Sequence, residues 1–194
     1  MSKQVVLSKL TEYQRVYTEA VDKIKALEDS TEYTEEYRAA NAYEVAEKAS
    51  ARLADMREEM REALEETGEE LARRDAERLG EISDILRDAC VLAENGIIDE
   101  GTAKSYGTLF KDSNSALKVF RAALIMGGKA NYTTYVPVPE EAPETVCGKL
   151  AAKVAILPGV TRDTAKETGG LGRAAIYYAG IAFEELKTEI ENAL

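Results

Sequence analysis

The sequence predicts an all-α protein: a long heptad-patterned helix, as a coiled coil or a helical hairpin, is joined to a small helical bundle, with a Pro-rich extended arm. Apolar residues recur at three- and four-residue steps over most of the 194 residues, as they do on amphipathic helices. All four prolines lie at or after residue 137, so the residue that most strongly interrupts helices is missing from the first 136 positions. Apolar residues make up 45% and charged residues 31%, a balance that permits a buried core.

Residues 1–31 are predicted to form the N-terminal helix, with Ser8 as a candidate N-cap. Tyr13 and Tyr17 lie one turn apart on the same face, and we expect packed rings whose hydroxyls reach water. The apolar positions of this helix are Leu10, Tyr13, Tyr17, Ala20, Val21, Ile24 and Leu27.

Residues 32–95 are predicted to form a long acidic helix that begins near Thr34, as a rod or a hairpin. Gly68 is the preferred position for a break, and a continuous helix from Glu35 to Glu94 is the alternative. An apolar seam with strict heptad spacing runs along the first part of this helix. At about 25 cal/mol per Å², small seam residues stabilise little alone, so the seam needs a partner helix from the same chain or from a second copy. The seam consists of Ala42, Ala46, Ala49, Leu53, Met56, Met60 and Ala63.

Residues 79–93 are apolar over a wide arc, which places the hydrophobic centre of the molecule there. Residues 96–128 are predicted to form short helices. Asn95-Gly96 ends the preceding helix, Asp99 and Asp112-Ser113-Asn114 begin the next two, and Gly127-Gly128 ends the last. Residues 80–111 superficially resemble a helix-turn-helix, but their few basic residues do not favour DNA reading.

Residues 129–146 form the predicted Tyr/Pro arm, extended because three prolines fall within seven residues. The arm either reaches a neighbouring subunit or crosses the surface between two helical layers, and the crossover is favoured. Residues 147–194 are predicted to be a helical segment that packs on the body. In its final helix, the apolar first half (AAIYYAGIAF) is expected to be buried and the acidic second half to lie at the surface.

Composition excludes several classes of function. The chain has no His, which removes Ser-His-Asp and Cys-His catalysis and imidazole metal ligands. The formal net charge is −11, and the densest basic spot, Arg73, Arg74 and Arg78, is interleaved with acids, so no direct nucleic-acid contact is expected. The longest apolar run has ten residues, against roughly 20 for a membrane span, so no membrane partner is expected.

No catalytic residue, metal or cofactor is predicted. Cys90 and Cys147 match no metal or redox spacing, and we expect buried, reduced thiols. The glycine-rich turn before the final helix is a candidate anion-binding site through Gly170, Gly172 and Arg173, because free amides and a cation meet there. An ordinary turn between two helices is the favoured alternative.

The leading functional hypothesis is a non-enzymatic structural or assembly protein that self-associates through its helices, such as a phage or viral accessory protein. The alternatives are an acidic inhibitor or nucleic-acid mimic that occupies a basic cleft of another protein, and an anion binder that uses the glycine turn. Since the N-terminus lacks an apolar signal segment, we expect the protein in the cytoplasm or in a particle assembled there. The predicted interface residues are Tyr37, Tyr43, Ala46, Ala49, Leu53, Met56, Met60, Tyr132 and Tyr135.

Overall fold

The computed structural model describes residues 3–163 and 171–194, with the backbone alone for residues 171–176. These residues form helices joined by loops and contain no strand, which confirms the all-α prediction. The helices are α1 (Lys3–Glu28), α2 (Glu35–Glu81), α3 (Ser83–Glu94), α4 (Glu100–Leu109), α5 (Asn114–Met126), the 3-10 helix η1 (Ala130–Tyr135), α6 (Pro143–Ala155) and α7 (Leu171–Ala193).

The long helix α2 does not break at Gly68, as the sequence slightly favoured, and it does not extend to Glu94 either. The Thr67 hydroxyl is buried and donates to the carbonyl of Ala63 at 2.7 Å, so Thr67 stays inside the helix instead of capping a new one. Ion pairs one turn apart support the helix on both sides of Gly68. The helix ends at Glu81, where Ile82, with φ of −104° and ψ of 6°, separates it from α3.

The chain divides into two compact units. Unit 1 comprises Met1–Thr67 and Cys147–Leu194, and unit 2 comprises Gly68–Val146. The helix α2 contributes its first 33 residues, 35–67, to unit 1 and the remainder to unit 2.

Unit 1 is a helical bundle of α1, the first part of α2, α6 and α7. The helices α1 and α2 run antiparallel, because Glu12 pairs with Arg52 at 2.6 Å and Lys9, one turn earlier, pairs with Glu59, two turns later. The helix α1 begins at Lys3, so Ser8 lies inside it and is not its N-cap. The buried face of α1 consists of Val6, Leu10, Tyr13, Val16, Tyr17, Ala20, Val21 and Ile24. The buried face of α6 consists of Cys147, Leu150, Ala151 and Val154. The described buried residues of α7 are Ala179, Phe183, Leu186 and Ile190.

Tyr13 and Tyr17 are packed aromatics as predicted, but both side chains are buried instead of having wet hydroxyls. Both rings meet Phe183 of α7 edge-on, with centroids 5.7 and 5.8 Å apart. The Tyr13 hydroxyl donates to the carbonyl of Pro158 at 2.9 Å. Desolvation by burial raises the pKa of Tyr13 to about 12, with the charge of Arg57 opposing the shift.

Because of Tyr13, the stability of unit 1 is expected to fall at alkaline pH. Below pH 10 both folded and unfolded chains hold the Tyr13 proton, whereas between pH 10 and about 12 only the folded chain holds it, so stability falls as pH rises. At pH 8 we expect Tyr13→Phe to be about 1 kcal/mol less stable than the parent, because the hydrogen bond is missing. As the pH rises from 10 to 12, the stability of the variant should fall less than that of the parent. Urea unfolding at each pH measures both effects. Tyr43→Phe, which removes a hydroxyl from an exposed ring, is the matched control and should cost little stability at pH 8.

Unit 2 is built around the contact between α3 and α5, whose C-terminal ends lie side by side. Both ends use the predicted glycines: Gly96 and Gly128 have φ of 68° and 74°, which closes each helix in the left-handed region. The predicted N-caps are also confirmed, since the Asp99 carboxylate accepts from Thr102 N–H at 2.7 Å and Ser113 Oγ accepts from Ala116 N–H at 3.2 Å. The core of unit 2 consists of Ile82, Leu86, Ala89, Cys90, Ala93, Ile98, Ala103, Phe110, Ala116, Leu117, Phe120, Ala123, Leu124 and Val136.

The Tyr/Pro arm is not extended over its first part, which is the 3-10 helix η1. The Arg121 guanidinium of α5 donates to the carbonyls of Thr133 and Val136, each at 2.7 Å, and this closes η1 onto unit 2. A Cβ at Gly107 of α4 would lie 3.1 Å from Val136 Cα, so the glycine permits a close backbone approach. Carbonyls that an extended arm would offer to a neighbour are thus satisfied inside the unit.

Candidate interaction surfaces

The heptad seam of α2 is covered by the same chain. All seven of its residues are buried in unit 1, and Leu53, Met60, Ala42 and Ala63 have no exposed surface. The seam is therefore covered within the chain, the first of the two alternatives that the sequence left open, and ion pairs place α1 beside this part of α2. Among the predicted interface residues, Ala46, Ala49, Leu53, Met56 and Met60 stabilise the fold and offer little surface to a second copy.

The predicted interface tyrosines have different environments. Tyr37 and Tyr43 of α2 are exposed, Tyr43 at 64%. The ring of Tyr37 lies 4.7 Å from that of Tyr33, between centroids, at the start of the helix. In unit 2, Tyr132 packs half-buried against the core and Tyr135 is partly exposed. Of these, Tyr43 is the most accessible to a partner.

A shallow groove of about 610 Å³ runs beside Tyr43, between α2 and the segment that follows Val160. Its α2 wall is made of small side chains at helical spacing, so that a partner's backbone could come close to the helix. The Arg162 guanidinium beside the groove pairs with Glu28 at 2.6 Å. The lining residues are Tyr43, Ala46, Glu47, Ser50, Ala51, Ala54, Val160, Thr161, Arg162 and Asp163.

A second apolar surface lies on the outward face of α7, where the sequence had predicted burial. Tyr177 and Tyr178 are 67% and 68% exposed, and Ile181 is partly exposed. The buried positions of α7 recur four and three residues apart, from Ala179 to Ile190, so residues 177, 178 and 181 lie on the opposite side of the helix. This four- and three-residue spacing is present in the sequence, but it was not recognised because nearly every residue in the first half of α7 is apolar. We call Tyr177, Tyr178 and Ile181 the α7 patch.

Ile156, just after α6, adds to the exposed apolar surface of α7. It is 81% exposed, and it shares a cleft of about 200 Å³ with Ala182 and Leu186. An ion pair between Lys153 and Glu189 closes one side of this cleft. Both apolar and charged side chains therefore line the cleft beside the α7 patch.

The long helix α2 is strongly acidic. Its 47 residues include 15 acidic and 8 basic side chains, a net charge of 8 − 15 = −7. Several Arg and Lys residues are held by acids one turn away on the same helix, for instance Lys48 by Glu44 and Arg73 by Glu77. Such exposed pairs stabilise the helix only weakly, because water and salt screen them, and they leave an excess of carboxylates on its surface.

In unit 2, Asp75 of α2 holds the start of α5. Its Oδ2 accepts from the Ser115 hydroxyl at 2.6 Å and from Ser115 N–H at 3.2 Å. Burial alone would raise the pKa of Asp75, but hydrogen bonds from Ser115 and Ser113 and from the first amides of α5 hold the pKa below its usual value. The carboxylate therefore has a structural task as a helix cap.

The described residues offer few groups for metal binding, membrane insertion, thiol chemistry or anion binding. Within residues 3–163 and 171–194, no three His, Cys, Asp or Glu side chains are grouped to hold a metal ion. No helix in the described part of the chain has the length and apolar character needed to cross a bilayer. Cys90 and Cys147 are buried and form no disulfide, as predicted, and burial raises the pKa of Cys90. Of the candidate anion site, Gly170 lies outside the described residues, and for Gly172 and Arg173 only the backbone in the first turn of α7 is described.

Comparison of the chain with protein-family models, with curated proteins and with solved structures finds no match.

Proposed function

We propose that this protein is a non-enzymatic assembly or interaction protein that self-associates through exposed helical faces of unit 1. The observation that carries the proposal is the set of large apolar side chains that unit 1 leaves in water, above all Tyr43, Ile156, Tyr177 and Tyr178. Tyrosine is enriched at protein interfaces because its ring supplies contact area while its hydroxyl is still able to hydrogen-bond. A structural accessory protein of a phage or virus remains one example of this class.

The burial of the heptad seam changes the route of association from the one that the sequence predicted. A side chain such as Leu53, which has no exposed surface, can contact a second copy only after unit 1 opens. Faces that are already exposed need no such opening. Association through the groove beside Tyr43 or through the α7 patch is therefore compatible with a folded unit 1.

Sedimentation velocity of the whole chain tests the proposal. From about 5 to 500 µM protein we expect the weight-average mass to rise above that of the 21.3 kDa chain. Because each copy carries a net charge of −11, salt screens the repulsion between them, so raising the salt from about 0.05 to 0.5 M should leave the association intact or strengthen it. A constant 21.3 kDa mass over the whole concentration range would contradict self-association.

A second candidate function is an acidic protein that occupies a basic cleft of another protein, and the net charge of −7 on α2 favours it. Exposed carboxylates attract a basic partner over roughly 10 Å at 0.1 M salt, so this binding must weaken steeply as salt is added. Salt dependence thus separates the two candidates, since association through the exposed tyrosines persists at high salt.

A further inference from the structure

We propose that two copies of this chain contact each other through the α7 patch. In this contact the two α7 helices pack antiparallel, related by a two-fold axis that passes near Ile181. This inference rests on the proposed function and names the surface and the partner. It concerns unit 1 alone.

The size and the chemistry of the α7 patch suit a weak contact between two proteins. Tyr177 and Tyr178 expose two thirds of their surface, and their ring centroids lie 6.0 Å apart, so the two rings form one surface. A tyrosine buries about 150–250 Å² when fully covered, so the α7 patch and the neighbouring Ile156 together expose on the order of 400–500 Å² per copy. This area falls within the range of about 300–600 Å² for the largest apolar patch of a monomer, a patch that is often functional. It is also smaller than the roughly 800 Å² that each partner buries in a stable complex. A weak, concentration-dependent dimer is the expected result.

The charge of α7 differs between its two halves. Residues 171–182 contain one Arg and no acid, a net charge of +1, whereas residues 183–193 contain four Glu and one Lys, 1 − 4 = −3. The helix dipole adds partial positive charge at the start and partial negative charge at the end. Antiparallel pairing sets the acidic half of one copy against the cationic half of the other, whereas parallel pairing sets the four Glu residues against each other.

The residue spacings of α7 set the register of the contact. With Ile181 on the axis, residues whose numbers add up to 362 face each other, so Tyr177 faces Glu185 of the second copy and Tyr178 faces its Glu184. On the α7 surface, Glu184 and Glu185 are exposed and follow Ile181 by one turn. A phenol hydroxyl donates to a carboxylate in a charge-assisted hydrogen bond. Each copy therefore offers two donors and two acceptors to the other, as a two-fold contact requires.

Alternative occupants fit the patch less well. A basic partner would be attracted to the second half of α7 but would meet the uncharged rings in the first half. A chain without acids would leave the phenol hydroxyls with water as their only partner. The patch and the acidic turn that follows it are complementary to each other, and a second copy supplies both.

The test compares three variants of the whole chain by sedimentation velocity. Ile181→Asp places two carboxylates on the axis, and we expect it to raise the dimer dissociation constant at least tenfold. Tyr177→Phe removes only a hydroxyl, and a smaller increase is expected. Val119→Asp introduces the same charge at an exposed apolar position of a unit 2 helix and should leave the dimer unchanged. Circular dichroism melting of each variant checks that the fold is intact.

Cross-linking tests the register independently. In an antiparallel dimer, a cysteine introduced by Ile181→Cys meets its own copy on the axis and should form an intersubunit disulfide on mild oxidation. Lys187→Cys, on another face of the same helix, should cross-link far less, and the buried Cys90 and Cys147 should not contribute.

The outcomes separate this inference from the proposed function. If the wild-type chain self-associates but Ile181→Asp associates equally well, the α7 contact is wrong and self-association stands. Failure of Ile181→Cys to cross-link more than Lys187→Cys overturns the register and the axis. A wild-type chain that stays monomeric at every concentration overturns both.

Discussion

Replacing Gly127 by alanine is expected to unfold unit 2. The Cβ of the new residue would lie 1.8 Å from the carbonyl oxygen of Ala93 and 2.7 Å from its carbonyl carbon, distances that no side-chain rotation can relieve. Both atoms belong to backbone, so α3 and α5 would have to separate along the contact that forms the core of this unit. We expect a loss of about 3 kcal/mol or more in the free energy of unfolding, measured by urea unfolding with circular dichroism.

Gly80→Ala is the matched control for this substitution. Gly80 also belongs to unit 2, near the end of α2, and nothing lies within 4 Å of the Cβ that alanine would add. Because alanine favours the helix over glycine by up to about 1 kcal/mol, the control should be neutral or slightly more stable. Hydrogen exchange localises the loss in Gly127→Ala to residues 68–146. Native-like protection there would show that α3 and α5 do not meet at Gly127.

Replacing Leu53 by aspartate is expected to unfold unit 1. The Leu53 side chain has no exposed surface and lies in the middle of the heptad seam, with Met56 and Met60 on the following turns. A carboxylate at this depth loses its hydration and the leucine contacts are lost as well, while Arg57, one turn further on, already donates to the carbonyl of Leu157 at 3.0 Å. We expect a loss of about 4 kcal/mol, enough to unfold a domain of ordinary stability, measured by the urea midpoint and by the loss of helical signal.

The neighbouring substitution Ala54→Asp gives the comparison. Ala54 is exposed on the next position of α2, so the same charge there meets water, and the cost should stay within about 0.5–1 kcal/mol. The pair also tests whether the seam is a core or a surface between subunits. If Leu53→Asp remained a fully folded monomer while the wild-type chain was a dimer, the seam would be an interface and the assignment to the core would be wrong.

The sequence alone predicted the helical class, the seam and most helix ends, because each depends on residues that are neighbours along the chain. Gly96, Asp99, Ser113 and Gly128 end or begin helices through hydrogen bonds that span at most five residues. The seven seam positions follow from the helical repeat in the same way. The exposed Tyr37 and Tyr43 were also found from composition and position.

Three features of the candidate surfaces depend on contacts between residues that are far apart in the sequence, so the sequence alone did not predict them. Whether the seam meets its own chain or a second copy depends on α1, α6 and α7, which no heptad pattern specifies. The arm could be extended by its prolines, yet Arg121 and Gly107, outside the arm, hold η1 against unit 2. The first half of α7 is apolar all round, so composition could not say that Tyr177 and Tyr178 would face water.

By itself, then, the sequence determined where this chain is helical and which sides of most helices are apolar, since propensity, capping and periodicity act within a few residues. Only the tertiary structure decided which apolar side chains are buried inside one subunit and which are left for a partner. The physical reason is that the hydrophobic effect has no direction and favours any apolar neighbour, so the choice between self and second copy lies in long-range packing. In this protein that packing covers the alanine and methionine seam and leaves the tyrosines of α7 exposed.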